Sequence, residues 1–185
     1  TQASSSAASD VYKRQDQKTI INLLHDIDLS NQPPTISGKV WEIPVCYNLA
    51  FGEDLESIAQ ASNLSIDEIV QLHTNPEYRI YGMGFLPGFL YLGGLDKRLF
   101  FPRRSVVKRL VPKGSVAIGG SQTGIYPQES PGGWNIIGRT PIQLFDTNLD
   151  SPSPFSVGDT IRFVSIDDEM YLSLIHISEP TRQLQ

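Results

Sequence analysis

Apolar and polar positions alternate in two different rhythms, and the change falls just after residue 75. Before it, helical spacing dominates. In DQKTIINLLHDIDL (16–29), Ile20, Ile21, Leu23, Leu24 and Ile27 fall near one helical face and predict an amphipathic helix. The Pro-Pro pair in the following SNQPPTISG forbids continuation. KVWEIPVCY (39–47) alternates Val40, Ile43 and Val45 with polar residues, though imperfectly, and predicts a strand. GEDLESIAQASN (52–63) predicts a short helix whose first-turn acids suit the N-terminal dipole. SIDEIVQLHTN (65–75) predicts another, because Ser65 stands three residues before Glu68 as in a capping box.

Beyond Pro76 the apolar runs are short and β-rich, and Gly and Pro separate them: YRIYGMGFLPGFLYLGGL, KRLVPKGSVAIGG, WNIIGRTPIQLF and DTIRFVSI. Many short strands with regularly spaced turn signals predict an antiparallel sandwich or barrel. In the last of them Ile161, Phe163 and Ile166 are expected to face inward. The predicted class is α+β: a partial α/β N-terminal domain over residues 16–77, then a β-barrel over residues 78–172.

The two ends do not share these rhythms. Residues 1–15 have no apolar periodicity, and residues 173–185 begin abruptly after a strand pattern. Asp10 to Arg14 can be encoded GAT GTG TAT AAG AGA, whose reverse complement reads Ser-Leu-Ile-His-Ile, the residues at 173–177. An inverted repeat of this kind is what a ligated sequencing adapter leaves, so both tails are expected to be non-native and to make no native contacts. His176 then drops out of any search for chemistry.

Composition narrows the function. A net charge of −5 argues against nucleic acid or an anionic membrane as partner. The single cysteine, Cys46, excludes an intrachain disulfide, suits a reducing compartment and is expected to be buried. GMGFLPG is not a dinucleotide fingerprint, because Pro87 breaks the helix that one requires. GSVAIGGSQTG lacks the Gly-Lys-Ser/Thr ending of a P-loop, and GGSQT fails the nucleophile elbow at its last position. With His25, His73 and one cysteine, no metal cluster is legible.

What survives is a constellation. His73 ends a helix just before the barrel. Arg103, Arg104 and Lys113 sit beside turns. Gln122, Thr123, Tyr126, Trp134, Arg139 and Thr140 lie in or next to glycine-rich connections such as SQTGIYPQESPGGW (121–134). Arg can clamp a carboxylate or phosphate in two parallel hydrogen bonds, and glycines let backbone N–H groups approach an anion. Against this stand plainer roles: His73 as a partner of the helix dipole, Trp134 as a plug for the barrel, Arg103-Arg104 as a solvated pair.

The strings IPVCYNLAFGEDLESIA, YGMGFLPGFLYLGGL, FPRRS, VPKGSVAIGGSQTGIYP and SPGGWNIIGRTPIQLFD closely resemble the B-subunit family of 5-oxoprolinase. Its members are also labelled KipI-type or allophanate hydrolase subunit 1, and are similar to part of the carboxyltransferase domain of urea carboxylase. The resemblance runs from about Ile43 to Ile166 and implies that the barrel is cyclophilin-like. It further implies a cytoplasmic protein that acts with a partner resembling the 5-oxoprolinase C-subunit. Together they would carry out the ATP-dependent opening of the 5-oxoproline lactam to L-glutamate. In that reading His73 is a candidate proton carrier, Arg139 and Arg103 clamp phosphate or carboxylate, and Gln122, Thr123 and Tyr126 orient the lactam. Trp134 and Thr140 complete the substrate site. Lys113 is assigned to ATP, which is expected with Mg2+ and bound with or by the partner.

Two departures from the family pattern stand out. Val107-Lys108 occupies the place of a second Pro-Arg, and the family begins about 50 residues upstream of Asp16, so the chain is expected to be a fragment. Two other functions share the resemblance: a KipI-type module that binds and inhibits a histidine kinase, and a carboxyltransferase-type enzyme component.

Overall fold

The computed structural model describes residues 38–178. The helix predicted over 16–29 and the tail 1–15 lie outside them. Strand β1 (Val40–Cys46) is followed by helices α1 (Leu55–Ser62) and α2 (Ile66–Thr74). Strands β2 (Glu77–Met83) and β3 (Leu90–Gly93) come next, then a 3-10 turn at Lys97–Leu99. The remaining elements are β4 (Lys108–Val111), β5 (Ser115–Gly119), β6 (Gln122–Ile125), β7 (Ser130–Gly132), β8 (Asn135–Arg139), β9 (Thr160–Ile166) and α3 (Asp168–Ser178).

The predicted capping box is present at α2. Ser65 Oγ accepts from the Glu68 backbone N–H at 3.2 Å, and Glu68 accepts from the Ser65 N–H at 2.8 Å. Reciprocal satisfaction of two orphan donors fixes where the helix starts. Its Ile69, Leu72 and His73 then fall on the buried side.

Seven strands close into a barrel in the order β1-β8-β5-β6-β3-β2-β9, and β4 and β7 form a separate two-stranded sheet. Two features differ from the pattern read along the chain. The strand β1 belongs to the barrel, which therefore begins well before residue 78. It also closes the barrel by a parallel pairing, with Val40 opposite Thr160 through to Cys46 opposite Ile166. Parallel partners need a long crossover, here about 120 residues, so no local turn signal announces them. Of the predicted inward residues of β9, Ile161 and Phe163 are buried and Ile166 is half-buried.

The core inside the barrel includes Ile43, Val45, Ile80, Leu90, Leu92, Val116, Ile118, Ile125 and Phe163. Helices α1 and α2 add Leu55, Ile58, Ile69 and Leu72 to the same cluster. A second cluster joins Phe89, Val111, Ala117, Tyr126, Trp134 and Ile136. Residues 173–178, expected to be extended or poorly determined, continue α3, whose Tyr171 is buried against Phe51 with ring centroids 4.5 Å apart. As expected, Cys46 is buried; its thiol donates to Asp168 Oδ1 at 3.0 Å. Burial, with this bond to a carboxylate, pushes its pKa up to about 11, so it is an unreactive thiol at neutral pH.

The start of the closing strand pair is pinned by one carboxylate. Buried Asp159 accepts from the Lys39 N–H at 2.9 Å, from Trp41 Nε1 at 2.9 Å and from the Ser156 N–H at 3.0 Å. Burial alone would raise its pKa, but these three donors outweigh it and hold the carboxyl below its ordinary value. Removing the acceptor strands several donors at once. Asp159→Ala is therefore expected to cost about 2–4 kcal/mol in urea unfolding, whereas a loss under about 0.5 kcal/mol would show that the closure does not depend on it.

Candidate functional site

A cleft of about 470 Å³ opens on the outer face of the barrel, beside the two-stranded sheet. Phe85, Leu86, Phe89, Tyr91, Tyr126 and Trp134 supply its apolar lining. The aromatic rings meet edge to face: Phe89 with Tyr126 at 5.1 Å and 86°, and with Trp134 at 5.5 Å and 89°. This geometry suits the ring quadrupoles and makes a rigid surface.

Glycine makes that packing possible. A Cβ on Gly119 would stand 2.5 Å from the Trp134 ring, and one on Gly132 would stand 2.3 Å from the Tyr126 hydroxyl. The rings rest directly on backbone, and any other residue at either position displaces them.

The polar groups are few. The Arg103 guanidinium lies 5.4 Å from the Trp134 ring centroid, a cation–π arrangement. Burial raises the Tyr126 phenol pKa, offset in part by a hydrogen bond from the Trp134 backbone N–H and by Arg103. Ser130 also lines the cleft; it is 7% exposed and its hydroxyl has no hydrogen-bond partner. A buried unpaired hydroxyl costs free energy, so Ser130 Oγ is ready for a ligand or a water.

Four of the sequence-predicted residues meet here: Arg103, Arg104, Tyr126 and Trp134. The others lie elsewhere. Arg139 ends β8 while Trp134 precedes it, a separation of about 17 Å along an extended strand. Its guanidinium stacks over Phe51 at 5.0 Å, and its Nε is buried without a partner. Thr140, buried, accepts from the Ile142 N–H at 3.2 Å just beyond that strand end. Lys113 is exposed in the turn between β4 and β5. Gln122, half-buried, opens β6 opposite Gly119.

His73 and Thr123 face the core together. His73 is 0% exposed and stacks on Phe163 at 4.6 Å. The Thr123 hydroxyl donates to the Ala117 carbonyl at 3.0 Å, so it accepts from His73 Nε2–H at 2.9 Å. The Tyr47 hydroxyl then donates to His73 Nδ1 at 2.7 Å. With both ring nitrogens taken and no exposure, His73 does not reach the cleft.

Sequence reasoning missed Phe89, Ser130 and Asp54. Phe89 stands in the FLPGFL string between β2 and β3, and its aromatic character was the available signal. Buried Asp54 accepts from Arg104, from Lys108 Nζ at 2.9 Å and from the Ile136 N–H at 2.7 Å. Lys108 also pairs with Glu53 at 2.6 Å.

Residues 7–155 match the carboxyltransferase domain family, subdomains C and D. The 5-oxoprolinase B-subunit of Bacillus subtilis is 46% identical over 136 residues, covering 74% of this chain and 57% of the relative. That of Haemophilus influenzae is 42% identical over 149 residues, covering 80% of this chain and 70% of the relative. The chain belongs to the 5-oxoprolinase B-subunit family. It spans less than two thirds of the Bacillus relative's length. Among solved structures, an uncharacterised protein of Pyrococcus horikoshii shares 49% identity at a TM-score of 0.69, over 72% of this chain and 62% of that one. The urea carboxylase of Kluyveromyces lactis has a TM-score of 0.68 at 19% identity, over 86% of this chain and 17% of its own, a likeness of fold alone.

Burial depresses the His73 pKa from 6.5 to about 3. The unfolded chain therefore takes up a proton below about pH 6.5 that the native state refuses until about pH 3, and stability falls as pH falls through that window. From pH 7 to pH 5 this residue should account for about 2 kcal/mol of lost stability. Urea unfolding of His73→Gln should lack that component. Equal pH slopes for the two proteins would contradict a neutral buried histidine.

Proposed function

We propose that this chain is the B-subunit part of a hydrolase complex that opens the lactam of 5-oxoproline to L-glutamate, using ATP and a partner of the C-subunit type. The observation that carries the reading is the cleft itself, in a chain of this family: an aromatic floor, Arg103 over Trp134, and the unpaired Ser130 hydroxyl. A planar lactam ring lies against the aromatic rings, and Arg103 takes its carboxylate in charge-assisted hydrogen bonds. The Ser130 hydroxyl can donate to the lactam carbonyl oxygen or accept from the ring N–H.

Net hydrolysis adds water across the C–N bond of the ring. The C–N bond breaks, a C–O bond forms, and the nitrogen leaves as the amine of glutamate. An amide resists this; phosphoryl transfer from ATP to its carbonyl oxygen, releasing ADP, would activate that carbon toward water, and the phosphoryl group then departs as inorganic phosphate. The cleft does not fit the nucleotide that supplies that group. Its lining holds no carboxylate for Mg2+, and the Arg104 guanidinium is taken up by Asp54. Among the described residues no group of three or more His, Cys, Asp or Glu could hold a metal. In this reading ATP is bound with or by the partner, and this chain's part is to hold the lactam and exclude water.

A second reading draws on the rim. Phe85 and Val107, which line the cleft, are 63% and 57% exposed, and Val106 next to Val107 is 74% exposed, apolar surface that a protein partner would cover. A KipI-type regulator would use it to grip a kinase segment.

One assay separates the two. The chain, reconstituted with a homologue of the 5-oxoprolinase C-subunit, should release phosphate in response to 5-oxoproline, and the chain alone should not. Arg103→Ala should lower kcat/KM for 5-oxoproline about 10- to 100-fold, the worth of one charged hydrogen-bonding group. An Arg103→Ala complex within about two-fold of wild type would remove Arg103 from the substrate site. Tight kinase binding without lactam-dependent turnover would favour the regulator.

A further inference from the structure

The wall that carries Arg103 has no regular secondary structure of its own, yet it must hold a long cation over an indole. The segment from Phe100 to Val107 connects the 3-10 turn to β4. Its backbone touches the barrel at few points: the Phe101–Gly120 bridge, the Arg104 N–H to the Gly133 carbonyl at 2.8 Å, and Asn135 Nδ2 to the Pro102 carbonyl at 2.9 Å. The Phe101 side chain packs against the barrel core, and the ionic attachment converges on one side chain, Asp54.

We propose that Asp54 is the positioning residue of the cleft: its buried carboxylate ties Arg104 and Lys108 to the floor strand β8 and so presents Arg103 to the ligand. Asp54 stands at the N-cap of α1 but makes no side-chain cap for that helix. Its carboxylate points instead to Arg104, Lys108 and the Ile136 N–H, while its own N–H donates to the Ile136 carbonyl at 3.0 Å. Ile136 is two residues from Trp134. Wall and floor therefore meet at one anion.

The charges also sort the cations. Asp54 and Glu53 face Arg104 and Lys108, two against two. The described ion pairs leave Arg103 outside this group, over Trp134. A buried carboxylate with two cations and a backbone donor is satisfied, and its loss would leave Lys108 half-buried without that partner. Asp54 lies outside the cleft lining, so it acts through the wall.

The sequence holds two tryptophans, so Trp41→Phe, which gives up one hydrogen bond to Asp159 but keeps its two backbone donors, leaves Trp134 as the sole indole in the full chain. In that background Asp54→Asn, which keeps an oxygen for the Ile136 N–H, should shift the emission to the red. Acrylamide quenching should rise about two-fold as the ring loses its cover, with the far-ultraviolet circular dichroism unchanged. Lys108→Met, a substitution outside the cleft lining, should move both signals the same way. The double variant should be no worse than Asp54→Asn, because both changes break one network. Folded variants with unaltered Trp134 quenching, or fully additive effects, would overturn the proposal. Should Asp54→Asn not fold, Lys108→Met alone decides between these outcomes. Neither signal requires a ligand, so the result is independent of the substrate reading.

Discussion

Aromatic rings laid directly on glycine backbone are the constraint from which the cleft follows. Trp134 occupies the space a side chain at Gly119 would need, and the Tyr126 hydroxyl occupies that of Gly132. The rings cannot rotate into a core already filled by the barrel strands, so they stand edge to face and leave a walled cavity beside them. The glycines of SQTGIYPQESPGGW and of GSVAIGG thus act through the side chain they lack. Turn formation is only part of their role.

Electrostatics then divides the molecule into a paired and an unpaired part. The carboxylates Asp54 and Asp159 each collect several donors and hold elements that are far apart in sequence. Arg103, by contrast, is exposed, lies over the Trp134 ring and stands outside the described ion pairs. That contrast, between Arg104 and Lys108 consumed by the fold and Arg103 held over Trp134, gives the cleft its chemical direction.

Much of the local structure is legible in the sequence, and the reasons it fails elsewhere are specific. The two short helices and the capping box depend on residues within one turn of each other, and they stand where spacing puts them. The parallel closure of β1 on β9 spans about 120 residues and has no local signature. Trp134 and Arg139 both flank glycine-rich turns, which groups them along the chain, yet the five-residue strand between them separates their side chains by its whole length. His73 ends a helix in the sequence pattern, but it shares a face with Ile69, and that i, i+4 spacing is the sign of burial. In sequence Asp54 is one acid in a helix's first turn. Its partners 50 and 54 residues away are a property of the tertiary fold.

The central claim is that the aromatic cleft, and not the Arg139 end of β8, receives the lactam. The most direct measurement is a 5-oxoproline titration of the isotopically labelled chain in its reconstituted complex, followed by amide and indole N–H chemical shifts. Saturable shifts at the Trp134 indole and at the Gly132 and Gly133 amides, with Ser115 and Thr140 unmoved, are the predicted result. Shifts confined to Ser115, Arg139 and Thr140 would contradict it.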